Sequence, residues 1–161
     1  MRSQYFPTLF GLPRFNLALK LQSGMTYHPK PWNPKGTTYH PKEKILCLTV
    51  MNIGDATSYL SNIKFKALIE GQVGYFMKAP IPSTELDPMA NPRMGEPVEP
   101  GRSAEFRFPF TMFQEHAKGK REYFLDAVMV WDQIDNLYTQ SISDELRNEI
   151  FGVNLATDAE E

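Results

Sequence analysis

The sequence predicts an all-β fold, an antiparallel β-sandwich of six to eight strands with long proline-rich loops and a short C-terminal helix. Three segments carry this prediction: residues 48–55 (LTVMNIGD), 99–108 (EPGRSAEFRF) and 127–132 (AVMVWD). Each joins a strand-forming run to a turn signal, either Asn-Ile-Gly-Asp, Pro-Gly or a terminal aspartate. Several short strands punctuated by turns in this way are typical of a sandwich.

Alternation of apolar and polar residues then assigns each element in order. It predicts strands over residues 16–22, 45–51, 59–70, 104–110, 123–131 and 137–142, with an extra edge strand at 72–77. The side chains that we expect to face inward together are Leu48, Val50, Ile63, Phe65, Phe106, Phe108, Val128 and Val130. One helical turn can form within residues 112–118.

The C-terminal helix is predicted over residues 144–151. Ser143 is a suitable N-cap, and Gly152 stands where a C-cap glycine belongs. With 161 residues the chain has the length of one domain. We expect an apolar N-terminal arm at residues 1–15, a single sandwich domain at 16–152 with proline-rich loops at 25–43 and 71–100, and an acidic tail at 153–161.

The order of three motifs suggests a family. LxVxNxGD, PGxSxxFxF and VxVxD follow one another within residues 44–143, and this order resembles immunoglobulin-like β-sandwiches that occur as accessory domains in bacterial and phage proteins. The shared motifs are structural, so the resemblance implies the fold and carries over no catalytic or binding residue. The chain lacks the cysteine pair of antibody domains, and Tyr123 stands where a tyrosine-corner residue would stand.

Charge and composition exclude several classes of function. The formal net charge of −2 and the dispersed basic residues argue against binding nucleic acid. No run of about 18 to 20 apolar residues predicts a membrane helix, and prolines interrupt the apolar N-terminus where a signal peptide would need a helix. The single cysteine, Cys47, is predicted to be buried and inert. We therefore expect a cytoplasmic protein, or one that is part of a virion.

Catalytic motifs are absent from the sequence. It contains no glycine-rich phosphate loop, no GxSxG and no HExxH, so we predict that the protein is not an enzyme and needs no cofactor. His28, His40 and His116 are the three histidines, but no carboxylate or cysteine lies at ligand spacing from them. We therefore predict no metal site.

A repeated pentapeptide, TYHPK, occurs at residues 26–30 and again at 38–42. It can form an arm that displays Tyr27, Trp32 and Tyr39 side by side, an arrangement that could stack on a sugar or bind a partner. The other interpretation is an extended connector whose aromatic rings pack back onto the sandwich.

Two further apolar segments are candidate interaction elements. The N-terminal arm contains Phe6, Leu9 and Phe10, which would be costly to leave in water. The loop at 71–100 holds six prolines, and a connection this long is functional or a solvated linker. Its candidate contact residues are Tyr75, Phe76, Met89 and Met94.

Together these features favour a non-enzymatic structural or protein–protein interaction subunit, whose partner is a second copy or another subunit of a virion or other large assembly. The alternative is a carbohydrate-binding module that uses Tyr27, Trp32 and Tyr39. The two differ in the surroundings of the aromatic rings, which would be buried between chains in the first and exposed in a row in the second.

Overall fold

The computed structural model describes residues 13–27, 42–77, 80 and 95–152. Eight strands and two short helices follow one another along the described chain. They are β1 Leu17–Tyr27, β2 Lys42–Asn52, β3 Ser58–Ile69, β4 Gln72–Phe76, β5 Pro97–Val98, β6 Ser103–Pro109, α1 Phe110–Ala117, β7 Tyr123–Asp132, β8 Leu137–Ser141 and α2 Asp144–Phe151. The prediction of a mostly β chain is confirmed.

The strands form two antiparallel sheets. The smaller sheet has the order β1-β2-β6, and the larger sheet has the order β4-β3-β7-β8, with β5 paired to one end of β3. Every strand pair is antiparallel. Three of the six pairs join strands that are adjacent in sequence, whereas β6 pairs with β2, and β5 and β7 pair with β3. The chain therefore crosses between the sheets more than once.

The two sheets share one hydrophobic core. All eight side chains that the alternation predicted to face inward are buried, with exposed fractions of 5% or less: Leu48, Val50, Ile63, Phe65, Phe106, Phe108, Val128 and Val130. Phe65 lies at the centre, with edge-to-face contacts to Phe108 at 5.0 Å and to Phe113 at 4.9 Å between ring centroids. Such edge-to-face contacts stabilise the core beyond what the burial of the rings contributes.

The helix α1 is longer than the single turn predicted. Phe110 is buried, as its place in the alternation predicted, but it is the first residue of the helix and β6 ends at Pro109. Phe113 lies one turn further along and is also buried, so the two rings share the inward face of α1. These two buried rings attach α1 to the core.

The C-terminal helix α2 has the predicted bounds and caps. The Ser143 hydroxyl accepts a hydrogen bond from the backbone N–H of Leu146 at 3.1 Å, and Gly152 has a left-handed backbone with φ of 66°. Leu146 and Ile150 are buried against the sandwich. The cap residues thus set the ends of the helix, and its apolar pair attaches it to the core.

The first strand continues further than its apolar alternation. β1 pairs with β2 from Leu17 opposite Asn52 to Tyr27 opposite Lys42. Because backbone hydrogen bonds sustain the ladder, strand pairing extends beyond the apolar side chains that predicted it.

Candidate functional site

The outer face of the larger sheet carries an exposed apolar strip. Leu68 of β3 lies directly opposite both Val73 of β4 and Phe124 of β7, so these three side chains form one row. Tyr75 lies in the adjacent row, two residues along β4. Their exposed fractions are 36% for Leu68, 51% for Val73, 40% for Phe124 and 56% for Tyr75. These four side chains, the outer patch, adjoin one another, whereas single surface hydrophobes are ordinary.

Charged groups beside the outer patch are paired or stacked on rings. The Lys66 ammonium lies 3.4 Å from the Asp126 carboxylate, and the Arg147 guanidinium lies 4.0 Å from the centre of the Phe124 ring. The cation and the ring face attract each other, and the guanidinium also covers part of the apolar ring. The charges at this margin are therefore compensated within the chain.

The strand β4 lies at an edge of the larger sheet, and within the described residues this edge lacks the usual protection. Its sequence, QVGYF, contains neither a charge nor a proline. Within residues 13–27, 42–77, 80 and 95–152, no strand pairs with the side of β4 that faces away from β3. Proteins commonly protect such edges with lysine, proline or a covering element, because an open edge can pair with another chain.

The other sheet edges of the described chain differ from β4. β6 carries Glu105, Arg107 and Pro109, and β1 carries Lys20. β8 lies beside β1, and the hydroxyl oxygen of Tyr138 lies 3.2 Å from the carbonyl oxygen of Phe15, just before that strand. The edge at β4 thus combines exposed apolar side chains with the lack of such protection.

The asparagine of the LTVMNIGD motif connects the turn that follows β2 to β5. The Asn52 side chain is fully buried. Its amide nitrogen donates to the carbonyls of Ala56 and Val98, both at 2.8 Å, and its amide oxygen accepts from the N–H of Gly54 at 2.9 Å. This residue therefore satisfies buried backbone groups, which is a structural role.

The last two residues of the motif, Gly54 and Asp55, contact the segment of chain that leads into β1. A Cβ atom at Gly54 would lie 2.3 Å from the carbonyl oxygen of Arg14, so only glycine fits. The Asp55 carboxylate accepts from the backbone N–H of Arg14 at 2.6 Å and from its Nε at 3.2 Å. These hydrogen bonds, chiefly the backbone one, lower the pKa of Asp55.

The aspartate of the VxVxD motif organises the turn between β7 and β8. Asp132 is fully buried. One carboxylate oxygen accepts from the N–H groups of Ile134 and Asn136, both at 3.0 Å, and the other accepts from the Tyr138 hydroxyl at 3.0 Å. Burial and this bond to Asp132 raise the pKa of Tyr138 to about 12. The carboxylate of Asp132 therefore stabilises this turn.

A cleft of about 670 Å³ lies between β1 and α2. Ser23 donates to the carboxylate of Glu149 across it at 3.1 Å, and Glu145 and Asn148 add polar groups to its wall. None of the described residues that line it is aromatic. The described lining of the cleft therefore offers hydrogen-bonding groups and contains no ring on which a sugar could stack.

The structure describes two of the predicted interaction residues in full. Tyr75 is exposed, whereas Phe76 lies on the opposite face of β4 and packs against the core, 5.6 Å from Phe65 between ring centroids. Tyr27 is the last residue of β1, and its side chain lies outside the described residues. The remaining predicted residues also lie outside them: Phe6, Leu9, Phe10, Trp32, Tyr39, Met89 and Met94.

His116, one of the three histidines considered as metal ligands, contacts aromatic rings. Its ring stacks on Phe76 with centroids 3.8 Å apart, and its Nδ1 lies 2.6 Å from the Tyr123 hydroxyl. Burial raises the pKa of Tyr123 to about 12. Among the described residues, no three His, Cys, Asp or Glu side chains are grouped as metal ligands would be. His28 and His40 lie outside the described residues.

Sequence reasoning did not identify three residues of the outer patch. Leu68 occupies an outward position of β3, on the face that carries Lys64 and Lys66, and an apolar residue there departs from the alternation. Val73 and Phe124 join it only through the pairing of β4 and β7 with β3. The apolar residue at the outward position 68 was visible in the sequence. That it adjoins Val73 and Phe124 became clear only from the register of β4 and β7 against β3.

Neither helix of the described chain is long and apolar enough to cross a membrane. No protein-family profile and no curated protein matches the chain. Among solved structures, the chain is similar to an X-ray structure of Northeast Structural Genomics Consortium target SoR45, with 7% identity, 78% of this chain and 82% of that chain covered, and a TM-score of 0.33. A likeness this weak supports no argument about fold or function.

Proposed function

We propose that the chain is an immunoglobulin-like β-sandwich that works by protein contact, as a non-enzymatic structural or interaction subunit of a larger assembly. Its partner is a second copy or another subunit. The observation that carries this proposal is the outer patch beside the edge of β4 that no described strand covers, since exposed apolar groups next to unpaired backbone groups suit contact with another chain.

The strand order supports the immunoglobulin-like part of the proposal. If β1, β2, β3, β6, β7 and β8 are strands A, B, C, E, F and G, the sheets are A-B-E and C-F-G, with β4 added beside C. Two features depart from antibody domains. The single cysteine forms no disulfide, and the hydroxyl of Tyr123 contacts a histidine side chain, where a tyrosine corner would bond to the backbone.

The roles of the buried polar residues support the absence of catalysis. Asn52 and Asp132 are the fully buried amide and carboxylate of the described chain, and both bond to backbone groups of turns. A catalytic carboxylate would instead face a cavity that admits substrate. The cleft between β1 and α2 contains carboxylates, but they are exposed on a helix surface.

The alternative of carbohydrate binding depends on Tyr27, Trp32 and Tyr39, whose side chains lie outside the described residues. The described cleft lacks an aromatic ring among its described lining residues, and stacking on such rings is the feature from which sugar binding was inferred. We therefore base the proposal on protein contact.

Substitution of the outer patch tests the proposed function. We expect the native chain to associate with increasing concentration, and Leu68→Thr/Tyr75→Thr to weaken that association by at least about tenfold, because it removes apolar area from the contact. Sedimentation velocity over a concentration series measures this.

Ile134→Thr provides the matched control, because Ile134 is 53% exposed and lies in the turn between β7 and β8, away from the patch. It should leave association unchanged. A native chain that stays monomeric and captures no purified assembly subunit, or a patch variant that associates like the native chain, would contradict the proposed function.

A further inference from the structure

The turn before β4 determines which N–H and C=O groups of that strand bond to β3 and which point away from it. Glu70 and Gly71 have φ of 50° and 86°, the two positive values of a type I′ turn, which connects the directly paired Ile69 and Gln72. The N–H of Glu70 donates at 2.9 Å to Glu122, which precedes β7. By alternation the N–H of Ile69 is directed toward β4, so Ile69 and Gln72 form a hydrogen-bonded pair.

The same alternation continues along β4. Gln72, Gly74 and Phe76 direct their N–H and C=O groups toward β3, and Val73 and Tyr75 direct theirs away from it. No described strand pairs with this side of β4, so among the described residues the edge presents two donors and two acceptors in a segment centred on Gly74. The side chains of Val73 and Tyr75 are both on the outer face, and each is more than half exposed.

This pattern is self-complementary. When a second β4 lies antiparallel beside the first with a two-fold axis at Gly74, Val73 lies opposite Tyr75 of the other copy, and Tyr75 lies opposite its Val73. Both are then hydrogen-bonded pairs, which gives four backbone hydrogen bonds. Each pair also joins a β-branched side chain to an aromatic ring, a combination that stabilises neighbouring strands.

Gly74 fits the central position of such a pairing. The Gly74 residues of the two copies face each other at the axis as a non-hydrogen-bonded pair. In such a pair the Cα atoms of antiparallel strands approach to about 4.5 Å. Glycine within a strand often marks a close approach of another backbone. In this chain it also makes room for Ile69, since a Cβ at Gly74 would lie 3.2 Å from the Ile69 side chain.

We propose that a second copy of this chain binds at β4, so that the two larger sheets join through a two-fold β4–β4 pairing. This inference rests on the proposed function and names its partner and contact. The outer patches of the two copies become one continuous strip, because Val73 and Tyr75 of each patch meet across the axis. A strand pairing of five residues buries little area, so the dimer is weak and forms at high local concentration, as in an assembly.

Removal of one open donor tests the pairing. Val73→Pro deletes an N–H that faces away from β3, so the sandwich should keep its internal hydrogen bonds and its melting temperature. Each dimer loses two of the four backbone hydrogen bonds, which should raise the dimer dissociation constant about thirtyfold. Val73→Thr, which keeps the N–H and the β-branched shape, is the control and should change it little. Sedimentation equilibrium of the full chain measures all three.

Amide hydrogen exchange of the native chain tests the register without a substitution. Protection of the Val73 and Tyr75 amides should rise with protein concentration, whereas the Gln72 and Gly74 amides, bonded to β3, should be protected at every concentration. Equal association of Val73→Pro and native protein, or exchange at Val73 and Tyr75 that is independent of concentration, would overturn the β4 pairing. If association persists in Val73→Pro but is lost in Leu68→Thr/Tyr75→Thr, the pairing fails and the proposed function stands.

Discussion

Truncation of Phe108 to alanine should destabilise the sandwich severely. The ring is fully buried between the sheets, and it contacts Phe65 edge to face with centroids 5.0 Å apart and an angle of 86° between the ring planes. The backbone of β6 is held by pairing with β2, where Phe108 lies opposite Leu46. The sheets therefore cannot close fully over the cavity, and the expected cost is about 3 to 5 kcal/mol.

For a chain of 161 residues, each kcal/mol lowers the melting temperature by about 2 to 4 °C, so Phe108→Ala should melt roughly 6 to 20 °C below the native protein. Thermal melts followed by circular dichroism, with urea titrations to check the free energy, measure the effect. Ile134→Ala, at a side chain that is 53% exposed, should stay within about 0.5 kcal/mol. If Phe108→Ala melts within two degrees of the native protein, the inward assignment of this strand face is wrong.

Three further predictions concern polar or titratable side chains that are buried or half-buried. Asn52→Ala should cost about 2 to 4 kcal/mol, because it leaves two carbonyls and one N–H without their partner; urea unfolding checks this, and a cost below 1 kcal/mol would contradict the role of Asn52. Burial raises the pKa of Tyr138 and of Tyr123 from 10.0 to about 12, so their contribution to stability is complete below pH 10 and is lost as pH rises through about 12. Urea midpoints between pH 9 and 12 should therefore fall less steeply in Tyr138→Phe, and equal slopes would refute the assignment. Burial raises the pKa of the Cys47 thiol to about 11, so it should not react with a thiol reagent at pH 8 until the protein unfolds; rapid labelling of native protein would show an open strand.

The alternation of residues along the strands was sufficient to predict eight buried residues of the core, whereas Phe113 of α1 was not among them. Phe106 and Phe108 are separated by an outward residue, and Val128 and Val130 repeat the same spacing, so each pair had to share a face once strands were assumed. The α2 helix was equally predictable, because Ser143 and Gly152 are local cap signals that need no tertiary information.

The candidate surface could be predicted only in part. Tyr75 was selected because it is an aromatic residue in a proline-rich connection, but Val73, Leu68 and Phe124 come from three strands, and strand register determines their proximity. The motif residues Asn52 and Asp132 marked turns in the sequence. The bonds of the Asp132 carboxylate stay within its own turn and β8. The bond from Asn52 to the carbonyl of Val98 became visible only when β5 was placed beside the turn after β2.

The measurement that most directly tests a contact function is the solution mass of the full chain over a wide concentration range. We expect the weight-average mass to rise from that of one chain, 18.5 kDa, toward that of two chains or more, and to fall back toward one chain in Leu68→Thr/Tyr75→Thr. A mass that stays at one chain up to millimolar concentration, together with no binding to purified candidate subunits, would contradict the proposal that this protein works by contact through the outer patch.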